Sequence, residues 1–213
     1  MTLAGFLAAP AVTPSASLYV EGVETEVQLD ATFQAAYVTA RLRLRHEGLE
    51  PLDRVELDFP AELGPRIEVR TVWDRRGELE WQFAWVKEKL PRTLRVALRA
   101  PLNPGEKFIL GVSYGIDTLK LPAGTPVSVS PQAARLSTTG WYPLPPAPDP
   151  RPPNALRLTL RLPKEWQVTS YAKLKRLRNG TKLATYEVLL KPVEAGRLLV
   201  EAEAAPDSQG RRP

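Results

Sequence analysis

From Leu18 onward, apolar and polar residues alternate with period two in almost every segment, and helical spacing is sustained almost nowhere. That alternation sends one row of side chains into a core and the other into water, as in a strand with one buried face. The rows expected to face inward are Val23, Val27 and Leu29; Val38, Ala40, Leu42 and Leu44; Val55, Leu57 and Phe59; and Ile67, Val69 and Trp73. Downstream come Leu94, Val96 and Leu98, then Phe108, Leu110, Val112 and Tyr114, then Leu156, Leu158, Leu160 and Leu162. Short strands divided by turn signals predict an all-β fold, an antiparallel β-sandwich or saddle-like set of packed sheets with little or no helix.

Turn chemistry divides the strands further. Asn179-Gly180 predicts a type I′ hairpin joining a strand near 167–178 to one near 181–190, because both central residues of that turn need positive φ. Asn103-Pro104-Gly105 predicts a turn before the Phe108 strand, with proline fixing φ and glycine relieving strain. Segments 38–46 and 52–59 are expected to pair as a hairpin, with Leu42 opposite Leu57 on the inner face. On the outer face that register sets Arg43 opposite Glu56 and Arg41 opposite Asp58, each pair worth roughly 0.2–1 kcal/mol.

A chain of 213 residues suits one sandwich core, here assigned to residues 18–205. The proline-rich run Pro143 to Pro153 predicts an extended connector that lacks ladder donors, and it marks a point where the domain could subdivide. Residues 206–213 read as a tail, and residues 1–17 as a flexible arm or the remnant of a secretory signal. That leading stretch is apolar in its middle but lacks a basic start, so the compartment stays open. No apolar run approaches the roughly 18 residues needed to cross a bilayer, so an integral membrane protein is not expected. Twenty-two prolines, one Met, no Cys and more Arg than Lys suggest a thermophile.

The residue inventory excludes more chemistry than it offers. Zero Cys and a single His, His46, remove disulfides, thiolate sites and nearly all zinc sites. His46 is expected to meet Asp53 in a structural contact rather than a catalytic one, since no second His or Cys accompanies it. No phosphate-binding loop, dinucleotide turn, nucleophile elbow or acidic calcium loop occurs. No catalytic residue, metal ligand or cofactor is therefore assigned.

Binding surfaces are weighed in the same way. The stripe Arg41, Arg43, Arg45 repeats every ~7 Å along a strand. Its acidic partners favour a solvated ion-pair face over phosphate tracking, and no nucleic-acid partner is expected despite the net charge of +5. Lys173, Lys175, Arg176 and Arg178 form the densest basic patch, read as a charged edge strand or as a surface for an anionic partner. Trp81 and Trp85, with Phe83 between them on one strand face, and Trp141 with Tyr142 beside the proline run, are read as core aromatics or as a platform for a sugar or peptide.

The order of features from Ala36 to Ala204 resembles the N-terminal saddle-like β domain of the aminopeptidase N family of zinc metallopeptidases. The segments that carry the resemblance are VTARLRLRH with RVELDFP, then PLNPGEKFILGVSYG at 101–115, then GWYPLPP and LRLTLRLPKEWQVTS. The family's catalytic domain, with H-E-x-x-H, its downstream Glu and the G-A-M-E-N segment, has no counterpart in these residues. The substrate-contacting Gln of the family's N-domain is also missing, since Leu136 to Tyr142 reads LSTTGWY. The resemblance thus implies a fold and no functional residue. The function expected is that of a noncatalytic module acting as a scaffold or interaction domain for a protein partner or a second copy. The alternative is an extracytoplasmic carbohydrate or peptide binder working through its Trp-rich surface.

Overall fold

The computed structural model describes residues 18–84, 92–119, 121–122, 124–146, 153, 155–190 and 197–205. The signal-like segment 1–17, the tail 206–213, Trp85 and most of the proline run's second half lie outside the described residues. The strands are, in chain order, β1 Leu18–Asp30, β2 Ala35–His46, β3 Leu52–Phe59, β4 Ile67–Asp74, β5 Gly77–Glu78, β6 Trp81–Phe83, β7 Arg92–Leu102 and β8 Lys107–Asp117. They continue as β9 Val127–Val129, β10 Ala133–Ser137, β11 Leu156–Pro163, β12 Trp166–Ser170, β13 Lys175–Asn179, β14 Leu183–Leu190 and β15 Leu198–Ala204. A single 3-10 turn, Gly64–Arg66, is the helical content among the described residues, and no helix there is long and apolar enough to cross a membrane.

Three sheets share one core. The largest has the order β13-β14-β11-β1-β2-β8-β4-β5, the second β12-β15-β10-β9 and the smallest β3-β7-β6. Pairing is antiparallel throughout except for β1 against β11, which run parallel. The alternation read from the sequence is the alternation of burial: Val27, Ala40, Leu42, Leu44, Val55, Leu57, Phe59, Leu158 and Leu160 are all fully buried. Removing apolar area from water at ~25 cal/mol per Å² is the main force holding the sheets together.

Specific contacts fix how the small sheet sits on the large one. The Phe59 ring meets Tyr114 of β8 edge-on, with centroids 5.1 Å apart. Arg92, at the start of β7, donates through Nη1 to the carbonyls of Ile67 (2.8 Å) and Gly64 (3.2 Å). Its guanidinium also lies 3.4 Å from the Phe83 ring centroid. Burial lowers its pKa, yet an arginine stays charged, so these carbonyls and the ring keep a cation satisfied at the seam.

Several expected pairings are corrected. Segments 38–46 and 52–59 do not form a hairpin: β2 lies between β1 and β8 in the large sheet, while β3 pairs with β7 in the small one. A strand has two edges, and the 13-residue β1 and 11-residue β8 offer β2 longer ladders than the 8-residue β3. Arg41 therefore stands opposite Glu24 and Arg43 opposite Gly22. Glu56 accepts from Arg95 Nε at 2.9 Å, and Asp58 accepts from Thr93 Oγ1 at 2.6 Å. In β4 a bulge at Arg70 inverts the alternation, so Val72 is buried and Trp73 crosses to the outer face. There Trp73 lies on Gly111, where a Cβ would stand 2.1 Å from the indole, a contact that only glycine permits.

The expected strand 167–178 is broken. β12 belongs to the second sheet, the Ala172 N–H turns onto Ser170 Oγ at 3.1 Å, and the chain crosses to β13. The β13-β14 hairpin does form, but its two-residue turn is Thr181-Lys182, closed by the Gly180 N–H on the Leu183 carbonyl at 2.8 Å. The turn at Asn103-Pro104-Gly105 is as expected, with φ of +81° at Gly105 and the Glu106 N–H on the Asn103 carbonyl. It does not close a hairpin ladder, because β7 and β8 belong to different sheets.

Candidate functional site

The residues singled out from the sequence do not converge. Trp141 is fully buried, and its Nε1–H donates to the Ser137 carbonyl at 2.9 Å, while its own carbonyl accepts from Tyr114 Oη at 2.7 Å. Tyr142 packs edge-on against it, 5.0 Å between centroids, and is 2% exposed. Neither ring can meet a ligand, so both leave the candidate surface. Burial pushes the Tyr142 hydroxyl up to about 12 and the Tyr114 hydroxyl well above its ordinary range, with the nearby Tyr142 adding a smaller effect on the latter.

The proline run after Trp141 is anchored by one peptide unit. In Pro143-Leu144-Pro145-Pro146 only Leu144 has an N–H, and that group donates to the Asp58 carbonyl at 3.1 Å while the Leu144 carbonyl accepts from Asp58 at 2.7 Å. This bridge covers the free edge of β3 beside the buried aromatics.

Trp81 is half-buried against Phe83, with centroids 5.8 Å apart, and lines a shallow groove of about 370 Å³ beside Asp53, Arg54, Glu80, Gln82 and Arg95. Lys173, Lys175, Arg176 and Arg178 are exposed, the last three on β13 at the edge of the large sheet. Arg176 lies over the Tyr186 ring at 5.6 Å, and Lys175 stands opposite Glu187.

His46 is 1% exposed at the end of β2. Its Nδ1 accepts from the Gly48 N–H at 3.1 Å, which leaves Nε2 protonated to donate to the Glu50 carbonyl at 2.7 Å. Loop backbone thus occupies both ring nitrogens in place of the expected Asp53 carboxylate. Zinc needs about four N, S or O donors around one point. The chain's one imidazole is already spent in this way, and the described residues hold no group of three His, Cys, Asp or Glu side chains placed for a metal, so the donor set does not fit a zinc centre.

The feature that sequence reasoning missed is a cleft of about 450 Å³ where the small sheet diverges from the large one. Its walls are the last five residues of β7, Glu106 with the first three residues of β8, Asp74 at the end of β4 with the turn residues Arg75 and Arg76, and Glu21, Arg43 and Leu44 from β1 and β2. Leu98, Phe108 and Ile109 are half-buried and form an apolar floor. Five basic side chains and three acidic ones surround it, and each acid is engaged. Glu21 holds Lys107 Nζ at 3.0 Å. Asp74 holds Arg99 at 3.6 Å and accepts the Arg76 N–H at 2.7 Å. Glu106 accepts the Asn103 N–H at 2.8 Å, which holds its carboxyl below the usual range. Arg75, Arg76 and Arg43 form no ion pair among the described residues; Arg43 folds over Gly22, in space that a Cβ would fill. No signal of period two announces this site, because its residues come from five separated segments.

Comparison with known proteins finds no matching family model and no matching curated sequence. Solved structures do match. An M1 zinc metallopeptidase from Deinococcus radiodurans superposes with a TM-score of 0.66 at 18% identity, covering 88% of this chain and 42% of that one. Yeast LTA4 hydrolase in complex with bestatin superposes with a TM-score of 0.59 at 12% identity, covering 92% of this chain and 31% of that one. This chain therefore spans less than half the length of either, and at such identity the likeness speaks for the backbone arrangement alone. The protein has the fold of the N-terminal β domain of M1 metallopeptidases.

Proposed function

We propose that this chain is a noncatalytic β module that works as a scaffold or protein-interaction domain. The observation that carries the reading is the fold itself: 88% of the chain superposes on a region making up 42% of an M1 metallopeptidase. The donor inventory supports it, since the one imidazole is committed to loop backbone. Two measurements test it. Purified protein, supplied with zinc, is expected to leave aminoacyl and peptide substrates intact; hydrolysis abolished by a single carboxylate-to-amide change in this chain would sink the reading. Native copurification from the source cells is expected to bring down a partner protein or a second copy, and recovery of isolated monomer alone would count against it.

A second reading rests on the groove beside Trp81, whose half-exposed indole and ring of polar groups suit a sugar or short peptide in an extracytoplasmic setting. Acrylamide quenching of tryptophan fluorescence separates the two. Protection that grows with added glycan supports the binder, and quenching indifferent to every glycan removes it.

A further inference from the structure

The wall of the 450 Å³ cleft contributed by β7 is unusual for a strand. Side chains of a regular strand alternate between faces, so a cavity on one face is lined by every second residue. Here Leu98, Arg99, Ala100, Pro101 and Leu102 line it consecutively, which means that the backbone edge itself faces the space. The ladder explains why. Between the pairs Arg54↔Ala97 and Leu52↔Leu102, one residue of β3 stands opposite four of β7, and β6 reaches only as far as Val96. The stretch Leu98–Pro101 therefore has no ladder partner on either side among the described residues. An extended strand edge with unpaired peptide groups is a template for a further strand.

Charge selects what that strand would carry. The acids around the cleft are engaged by Lys107, Arg99 and backbone N–H groups, whereas Arg43, Arg75 and Arg76 stand without an anion among the described residues. Guanidinium groups suit carboxylates in forked geometry, and Leu98, Phe108 and Ile109 offer the apolar floor for alternate side chains. We propose that this cleft binds an extended acidic peptide segment of a partner protein, adding it as a strand along Leu98–Pro101. Its carboxylates meet Arg75, Arg76 and Arg43, and its apolar residues meet the floor. This inference rests on the interaction-module reading and names the partner's chemistry.

The test uses the full 213-residue chain and a fluorescein-labelled peptide of alternating glutamate and leucine, followed by anisotropy. Binding is expected with a Kd on the order of 10–100 µM at low salt, weakening severalfold as the ionic strength rises. The charge-reversing double variant Arg75→Glu/Arg76→Glu should weaken it at least about tenfold, with an unchanged far-UV circular dichroism spectrum because both residues sit on an exposed turn. A peptide N-methylated at alternate residues, which cannot pair along a strand edge, should lose about as much. No binding up to millimolar peptide, or equal binding of a lysine-leucine peptide, would overturn the proposal. Retained affinity of the N-methylated peptide would also overturn it, as would binding of dodecanoate in place of the peptide. Any of these failures alongside a copurifying partner leaves the module reading standing and removes the cleft alone.

Discussion

Tyr114 and Phe108 lie on the same face of β8, six residues apart, yet they serve two different environments. At Tyr114 the large sheet is sealed: Phe59 covers the ring, and the Trp141 carbonyl takes its hydroxyl. At Phe108 the small sheet has parted from the large one, and the ring forms part of an open floor beneath uncommitted arginines. One strand thus supplies both a dry aromatic seam and a charged recess. Burial with every polar group satisfied favours stability; exposure with charges left unpaired favours association.

That contrast is breakable by mutation and by pH. The largest effect is expected from Trp141→Ala, which removes a fully buried indole and strands the Ser137 carbonyl; it should cost about 3–5 kcal/mol in urea unfolding followed by circular dichroism. Alkaline titration comes next. Tyr142 has a folded pKa raised to about 12 against an unfolded value of about 10. A raised folded pKa contributes fully below the unfolded one and is lost as the pH climbs toward the folded value. Stability should therefore be flat up to pH ~10 and fall by about 2 kcal/mol from Tyr142 by pH ~12, with Tyr114 adding to the loss. Absorbance at tyrosinate wavelengths should show Tyr142 ionising near pH 12 and Tyr114 well above its ordinary range; titration of either near that ordinary range would contradict the sealed seam.

Tyr114→Phe keeps the ring contact with Phe59 and leaves the Trp141 carbonyl without its donor, so it should cost about 1–2 kcal/mol. The smallest effect on stability is expected in the recess. Arg75→Glu/Arg76→Glu should change unfolding free energy by less than about 0.5 kcal/mol, because both side chains are exposed and neither forms an ion pair among the described residues. A large destabilisation there would erase the distinction between the two ends of β8.

Which side chains enter the core was legible from period two, because burial is a property of one strand at a time. Which strands pair was not, because Leu57 is equally buried opposite Leu42 or opposite Leu94, and only the lengths of competing ladders decide. Trp73 shows a second limit: one extra residue at Arg70 inverts the alternation, and no proline or glycine marks that bulge. Trp141 and Tyr142 show a third. Their aromatic character was plain, but their burial comes with tertiary packing, in which the Trp141 carbonyl meets the Tyr114 hydroxyl of a distant strand and Tyr142 packs on the Trp141 ring. The cleft was invisible for the same reason, as its charges lie on five segments that approach only after the sheets have formed.

The parallel ladder between β1 and β11 carries a kinetic consequence. Thr25 Oγ1 donates to the Arg157 carbonyl at 3.4 Å across 132 residues of sequence, and this junction sits in the middle of the eight-stranded sheet. Chain closure over such a distance is entropically costly before any contact rewards it. The sheet should therefore zip from β1-β2-β8 first and accept β11 late, leaving the inner edge of β1 bare for much of the folding reaction. Pairing between nascent chains along that bare edge is the hazard such an order of events carries.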